Sequence, residues 1–186
     1  MIGLEVHLSL PAWMAEFTGI DTRYKQDADK VALAIELSRR NVMSDGGGPF
    51  GAALFDGEGR LAGVGVNQVV PQNCSAAHAE MMAYMSAQQT LGRFRLDDDG
   101  GRYTLATSAQ PCCQCYGATF WAGISELVIG ARGEDVESLT EFDEGPLPAD
   151  WIGELERRGI AVRRDVLRAE ACAVLRLYSE RGGRMY

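Results

Sequence analysis

The stretch TLATSAQPCCQCYGATFWAG, residues 104–123, decides the fold, because a strand and a helix meet in it at a cluster of cysteines. The opening TLATSA is apolar and β-favouring over the length of a strand. Pro111 falls in the first turn of a helix, where proline is favoured, and Gly123 ends that helix as glycine commonly does. The stretch therefore predicts a strand that runs directly into a helix with cysteines at its start.

Two of the three clustered cysteines share one side of this helix. Cys112 and Cys115 are three positions apart and point together, whereas Cys113 turns about 100° away. A helix N-terminus favours the thiolate form that a metal needs. Structural zinc sites take four protein ligands and catalytic ones usually take three plus water, so the pair requires at least one further ligand.

A histidine supplies that ligand. The sequence has two, His7 and His78, and His78 lies in the first turn of another predicted helix. Two helix starts that each follow a strand converge at one end of an α/β sheet. We therefore predict a zinc site of His78, Cys112 and Cys115 with one open position, at which the metal lowers the pKa of water from about 15.7 towards about 7.

Elements on both sides of the cysteine stretch predict the architecture. Apolar residues recur at helical spacing from Asp27 until SDGGGP stops them, and PFGAALFD and LAGVGVNQVV are strands of a hairpin. Ser75 is expected to cap the helix AAHAEMMAYMSAQQTL. After the cysteine helix follow the strand SELVIGA, two helices, the strand IAVRRDV and a last amphipathic helix.

This order, α-β-β-α-β-α-β-α-α-β-α, predicts the α/β class, with helices on both faces of one mixed sheet in a three-layer α-β-α sandwich. We expect residues 1–186 to form a single domain, with residues 1–24 as an N-terminal extension and residues 167–186 as a C-terminal helix and tail. Gly46, Gly48 and Gly51 match a dinucleotide-binding pattern, but a helix precedes them and a strand follows, which is the reverse of that fingerprint. They are interpreted as a tight turn whose backbone is available to line a pocket.

Composition limits the partners. The 26 acidic and 18 basic residues give a net charge of −8, which counts against a nucleic-acid substrate. The sequence has no stretch of about 20 apolar residues and no signal-peptide pattern, so we expect no membrane association and a cytoplasmic location. Five cysteines, three of them clustered, suit a reduced compartment and a metal site.

His78-Ala79-Glu80 followed by Pro111-Cys112 and Cys115 resembles the H-x-E and P-C-x-x-C signature of zinc-dependent nucleobase and nucleoside deaminases. GGGPFGAALF, GVGVNQVVP and FDEGP extend the similarity to the bacterial guanine deaminases of the cytidine-deaminase-like fold. The resemblance implies a five-stranded mixed sheet, a Zn²⁺ cofactor and a homodimer.

The resemblance also implies the roles of individual residues. Glu80 would be the general acid/base, although ideal helical periodicity turns it about 200° away from His78. Glu144 would be a second catalytic carboxylate, in contrast to the alternative of a solvated acidic loop. Asn67 would hydrogen-bond the base, with an exposed strand position as the alternative. Phe50, Ala79 and Tyr186 would line the substrate pocket.

The implied function is hydrolysis of a cyclic amidine C–N bond in purine metabolism, which converts the small-molecule nucleobase guanine to xanthine and ammonia. Deamination of guanosine, cytidine or an aminotriazine is an alternative, because one or two pocket hydrogen bonds distinguish these substrates. A non-catalytic zinc-stapled domain, with Cys113 or Cys74 as fourth ligand, is another. A redox C-x-x-C is weaker because it needs no His-x-Glu upstream, and a tRNA adenosine deaminase is disfavoured by the charge.

Overall fold

Five strands form one mixed sheet in the computed structural model, which describes residues 4–17 and 19–186. The sheet order is β2-β1-β3-β4-β5; β1 is antiparallel to both neighbours, and β3, β4 and β5 are parallel. The strands are β1 (Gly51–Asp56), β2 (Leu61–Val66), β3 (Tyr103–Ala109), β4 (Glu126–Ala131) and β5 (Ala161–Arg163).

Seven α-helices occur in the described ranges, together with 3-10 turns at Ala12–Phe17 and Leu96–Asp99. They are α1 (Asp27–Met43), α2 (Val69–Gln72), α3 (Ala79–Leu91), α4 (Cys113–Ala122), α5 (Gly133–Leu139), α6 (Trp151–Glu156) and α7 (Arg168–Glu180). No helix in residues 4–17 or 19–186 is long and apolar enough to cross a membrane.

Alternation along the strands divides the apolar interior into two cores. In β1, Ala53 and Phe55 belong to the core that includes residues of α1 and α7, whereas Ala52 and Leu54 belong to the core with α3. Side chains of a strand point to opposite faces at a period of two, so a sheet buried on both sides needs apolar residues at every position. The predicted three-layer α-β-α sandwich with a five-stranded mixed sheet is confirmed.

Several predicted element ends are wrong. Pro111 precedes Cys112, the N-cap of α4, instead of lying in the first turn, and the predicted strand IAVRRDV is reduced to Ala161–Arg163. Strand β2 ends at Val66 because the Asn67 side chain accepts the Val69 N–H at 3.3 Å and turns the chain into α2. Ser75 does not cap α3: the helix begins at Ala79, after a turn in which the Ala77 N–H donates to the Cys74 carbonyl at 3.0 Å. The corrections add the short helix α2 between β2 and α3 and leave the order of the predicted elements unchanged.

The predicted N-terminal extension, residues 1–24, is described except for residues 1–3 and 18, which lie outside the described residues. Within the described part Met14 is buried in the first core. The Arg40 guanidinium of α1 lies 4.6 Å from the Trp13 ring centroid and pairs with Glu16 at 3.0 Å. The 3-10 turn is thus packed on α1.

Strand β2 and helix α3 approach each other closely because two strand positions lack side chains. A Cβ on Gly65 would collide with the Ala79 carbonyl, and a Cβ on Gly63 would lie 2.7 Å from the Ala83 carbonyl oxygen. Glycine is commonly used where one backbone must approach another. The contact fixes the start of α3 over the end of β2.

Gly65→Ala is expected to lower the free energy of unfolding by about 2 kcal/mol or more, because α3 must move away from β2. Gly117→Ala is the matched control: Gly117 lies inside α4 with nothing within 4 Å of its Cβ position. Helix propensity predicts that this change is neutral or stabilises by up to about 1 kcal/mol. Chemical denaturation of both variants measures the difference, and equal effects would contradict the packing constraint.

Candidate active site

A cavity of about 340 Å³ opens at one edge of the sheet. The antiparallel pairing of β1 with β2 and β3 brings the start of β1 and the ends of β2 and β3 to this edge. The predicted site residues that line the cavity are Phe50, Asn67, His78, Ala79, Glu80, Cys112, Glu144 and Tyr186. Cys115 lies buried behind Cys112, on the first turn of α4.

Three metal-binding side chains meet at the wall of the cavity. The ligand atoms of His78, Cys112 and Cys115 all lie within 4.8 Å of one another, and Cys112 Sγ is 3.4 Å from His78 Nδ1. Zinc–sulphur and zinc–nitrogen bonds of about 2.3 and 2.1 Å place tetrahedral ligands about 3.5–3.8 Å apart. Two thiols and an imidazole with this spacing fit Zn²⁺.

The ends of two helices position these ligands. His78 is the N-cap of α3 and Cys112 is the N-cap of α4, and both have extended backbone angles. Neither side chain makes the usual hydrogen bond to its own helix. Each is therefore free to ligate a metal in front of the helix, where the dipole and the unpaired N–H groups favour a thiolate.

The thiols and the imidazole influence one another. Hydrogen bonding from Cys115 and then His78 lowers the pKa of Cys112 to about 4, although burial opposes this shift. Bonding to Cys112 and burial hold the pKa of Cys115 well above its ordinary value. Burial disfavours the charged His78 ring, but the Cys112 hydrogen bond and the charge of Glu80 raise its pKa overall. Cys112 is consequently the first thiolate of the set.

The other candidate ligands lie outside this group. Cys113 is exposed and Cys74 is half-buried, and neither belongs to a metal-binding group within the described ranges. Cys113 instead touches the loop of residues 142–145: a Cβ on Gly145 would lie 2.5 Å from its Sγ. The three-ligand group thus leaves one tetrahedral position for water or substrate.

Glu80 lies beside the metal-binding group despite the periodicity argument. The Cys115 thiol donates to Glu80 Oε2 at 3.4 Å, and the carboxylate is 7% exposed. Because His78 is an N-cap and lies outside the helix, the angle expected between positions 78 and 80 of an ideal helix does not apply. Burial, followed by the charge of Cys112, raises the pKa of Glu80 to about 7.

Glu144 faces the same cavity from the loop after α5. It is 9% exposed, so a solvated acidic loop does not describe this residue, whereas the neighbouring Asp143 is exposed. The Cys113 N–H donates to the Glu144 carbonyl at 2.9 Å and ties the loop to α4. Burial, and then the charges of Cys112 and Glu80, raise the pKa of Glu144 to about 8.

Asn67 directs an amide into the cavity. Its Oδ1 accepts from the N–H groups of Gly48 at 3.4 Å and Val69 at 3.3 Å. Its Nδ2 is buried and makes no hydrogen bond with any described residue. The amide lies near the Tyr186 hydroxyl, whose pKa burial raises and the amide only partly lowers. A buried donor without a partner is costly, so this atom is available to a ligand.

Aromatic rings form the remaining wall. Phe142 packs against Phe50 at 5.2 Å and against Tyr186 at 4.8 Å between ring centroids. The Tyr186 hydroxyl lies over Gly48, and burial keeps its pKa above the ordinary tyrosine value. Phe142 was not among the predicted pocket residues, although it stands two residues before Glu144 in the FDEGP segment.

Ala79 contributes space rather than a functional group. Its methyl is 1% exposed and belongs to the core between α3 and the sheet, while the residue also borders the cavity. A larger side chain at this position would displace α3 from β2, since the Ala79 carbonyl already contacts Gly65. Its side chain thus limits the shape of the pocket, and its role in substrate binding stays a prediction.

Substitution within the cysteine cluster tests the metal-binding group. We expect Cys112→Ser and Cys115→Ser to lose most bound zinc, because a neutral hydroxyl replaces a thiolate ligand. Cys113→Ser, changed in the same way one position from Cys112, should retain about one zinc ion per chain. Elemental analysis after dialysis measures the content, and equal loss in all three variants would contradict the assignment.

The buried Glu144 predicts a pH dependence of stability in the metal-free protein. Its pKa of about 8 exceeds the unfolded value of about 4.3, so the unfolded state ionises first and stability falls as the pH rises between these values. Glu144→Gln should therefore match the wild type near pH 4 and exceed its free energy of unfolding at pH 9 by a few kcal/mol. Denaturation at the two pH values measures this.

Glu141→Gln, which changes an exposed carboxylate of the same loop, is the control for that experiment. It should leave the pH dependence as it is in the wild type. An unchanged difference between pH 4 and pH 9 in Glu144→Gln would show that burial does not penalise this carboxylate.

Similar proteins support the interpretation of the site. A guanine deaminase of Bacillus subtilis is 39% identical over 102 residues, which cover 55% of this chain and 62% of the Bacillus protein. A tRNA-specific adenosine deaminase of Buchnera aphidicola is 30% identical over 152 residues, covering 81% of this chain and 93% of that protein. The alignment with the Bacillus protein therefore spans less than two thirds of its length.

Solved structures match more of the chain. The guanine deaminase from Nitrosomonas europaea has a TM-score of 0.91 and 41% identity, covering 97% of this chain and 99% of its own. A second structure, solved in complex with 2,6-diaminopurine, has a TM-score of 0.91 and 43% identity, covering 97% and 95%.

The zinc-binding region of cytidine and deoxycytidylate deaminases matches residues 24–131, which include the three candidate ligands and Glu80. More than half of the chain is thus matched by one family, whose zinc chemistry fits the donor set in the cavity. The chain belongs to the cytidine and deoxycytidylate deaminase family of zinc-binding proteins.

Proposed function

We propose that this chain catalyses the hydrolytic deamination of guanine to xanthine and ammonia, as part of purine metabolism. The observation that carries the proposal is the pair of buried carboxylates, Glu80 and Glu144, which face one cavity beside a zinc-binding group. Buried acids with raised pKa values are typical of acid–base catalysis near neutral pH. The similarity to two guanine deaminases supports the choice of substrate.

His78, Cys112 and Cys115 would hold Zn²⁺, which when bound would lower the pKa of a water molecule and so supply the nucleophile. Glu80, the carboxylate nearer the thiols, receives the proton that water gives up. The water oxygen forms a bond to C2 of guanine and the bond from C2 to the exocyclic nitrogen breaks. Glu80 returns a proton to the adjacent ring nitrogen.

Glu144 completes the proton transfers. Burial raises its pKa to about 8, so it donates a proton to the leaving amine, which departs as ammonia. The proton that the C2 hydroxyl loses as its C=O bond forms restores the Glu144 carboxylic acid. The two carboxylates divide these tasks because, after burial and the charge of Cys112, the charge of Glu80 further raises the pKa of Glu144. One carboxyl group can act as a base and the other as an acid only if their surroundings differ. Glu80 accepts a hydrogen bond from the Cys115 thiol, whereas Glu144 lies on the loop after α5.

Binding residues orient the base toward these acids. The free Asn67 Nδ2 donates to an acceptor on the purine edge. The rings of Phe50 and Phe142 provide apolar contact for a flat heterocycle. A cavity of about 340 Å³ lies at the small end of ligand pockets, which favours a free base over a larger substrate.

The proposal extends to assembly and location. We propose a homodimer, supported by Phe94 and Trp121, which are 81% and 78% exposed in the single chain. We propose a cytoplasmic location because all five cysteines are free and two of them would ligate zinc as thiolates. The net charge of −8 weighs against tRNA as the substrate.

Ammonia release tests the function. Zinc-loaded protein is assayed with guanine, guanosine, cytosine, cytidine, adenine and an aminotriazine, and guanine is expected to give the highest kcat/KM. Glu80→Gln and Glu144→Gln should each reduce kcat by about 10²–10⁴-fold while zinc is retained, because each removes a proton-transfer group. Glu141→Gln is the control and should keep wild-type kcat.

If the enzyme prefers another ring and still requires both carboxylates, guanine is not the substrate but the proposed mechanism stands. Absence of turnover on every substrate by the zinc-loaded wild type would overturn the catalytic proposal. A structural zinc site would then be the remaining interpretation. In that case Cys112→Ser would lose zinc and thermal stability, with no activity to lose.

A further inference from the structure

Asn41, near the end of α1, joins three segments beneath the cavity. It is completely buried. Its Nδ2 donates to the Gly48 carbonyl at 3.0 Å and to the Asn67 carbonyl at 2.9 Å. One amide therefore holds the glycine-rich loop of residues 46–48 and the end of β2 at a fixed separation.

Gln68 completes the network. Its Nε2 donates to the Gly46 carbonyl at 2.6 Å and lies 3.2 Å from Asn41 Oδ1, which accepts from it. The same group approaches the Asn67 carbonyl at 3.0 Å. Because Asn41 Oδ1 accepts from Gln68, the Asn41 amide is held in the orientation in which its Nδ2 donates to the carbonyls of Gly48 and Asn67.

The loop that this network holds determines how Asn67 presents its amide. Gly47 has φ +136°, and a Cβ there would collide with the Asn67 carbonyl, so the loop lies directly against this residue. The Gly48 N–H donates to Asn67 Oδ1 at 3.4 Å. Because Oδ1 is occupied by the Gly48 and Val69 N–H groups, Nδ2 is the atom left for the cavity.

We infer that Asn41 is a positioning residue for nucleobase binding, which acts through the glycine loop on the orientation of the Asn67 amide. The inference rests on the proposed function, because it assumes that Asn67 contacts the base. Neither Asn41 nor Gln68 borders the cavity, so their effect is indirect. A buried amide that only stabilised the fold would not need to act through Asn67.

Asn41→Asp removes the two donated hydrogen bonds while it keeps the shape and the acceptor to Gln68. Its oxygen then opposes the two carbonyls, which displaces the loop. We expect KM for guanine and Kd for 8-azaguanine, a guanine analogue, to rise about tenfold or more, the effect of one well-placed hydrogen bond. The kcat should change less and the zinc content should not change, because the zinc group is not part of the network.

A double-mutant cycle gives the decisive readout. In an Asn67→Ala background, Asn41→Asp should raise Kd for 8-azaguanine by less than about twofold, since the residue through which it acts is gone. Ser38→Ala is the control, because Ser38 lies three residues earlier on α1, is completely buried, and has no hydrogen-bond partner among the described residues for its hydroxyl. It should leave KM and Kd unchanged.

Gln68→Leu provides a second variant if Asn41→Asp does not fold. It removes the donor to Asn41 and Gly46 at nearly constant volume and should raise Kd in the same direction. Additive effects in the cycle, or unchanged Kd in Asn41→Asp, would overturn the positioning role.

The two proposals fail in distinguishable ways. A wild type that binds 8-azaguanine without deaminating guanine loses the proposed function, while the cycle in Kd still decides the role of Asn41. A wild type that neither binds the analogue nor acts on guanine overturns both.

Discussion

The contact between β2 and α3 is the constraint on which the site depends. Without side chains at Gly63 and Gly65, the backbone of α3 packs directly on the strand. Gly65 of β2 and Thr107 of β3 both pair with Ala52 of β1, so the three residues lie side by side across the sheet. Because Gly65 contacts the start of α3, this pairing fixes the distance between the start of α3 and the end of β3. The chain enters α4 five residues after Thr107, at Cys112. Sheet register thus sets the distance between the two helix starts that carry the candidate zinc ligands.

Burial raises the pKa values of the two carboxylates in this site, because it disfavours their charged forms. Burial and then the charge of Cys112 raise the pKa of both Glu80 and Glu144, and the charge of Glu80 raises that of Glu144 further. A divalent cation at the thiols would offset this negative charge, so metal binding and stability are coupled. Burying two carboxyl groups lowers the stability of the fold. The same burial brings their pKa values near neutral pH, where they can both give and accept protons.

The sequence predicted those features of the site that local spacing determines. The pattern of His78, Cys112 and Cys115 was sufficient because each ligand lies at a helix start, and the resulting group is close in space. Periodicity failed for Glu80 because it assumed that His78 lies inside the helix. Phe142 and Asn41 contact residues distant in sequence, and for Asn41 the sequence pattern carries no signal of these contacts.

Cys113, which the sequence offered only as an alternative fourth zinc ligand, shows how the second carboxylate is positioned. Its backbone N–H holds the Glu144 carbonyl and its sulphur packs against Gly145, so it serves the loop while its neighbours serve the metal. Glu80 belongs to the first turn of α3, and Glu144 is tied to the first turn of α4 through Cys113. The geometry of both acids and of all three ligands therefore reduces to the relative position of two helix starts, which the glycines of β2 and the register of the sheet determine.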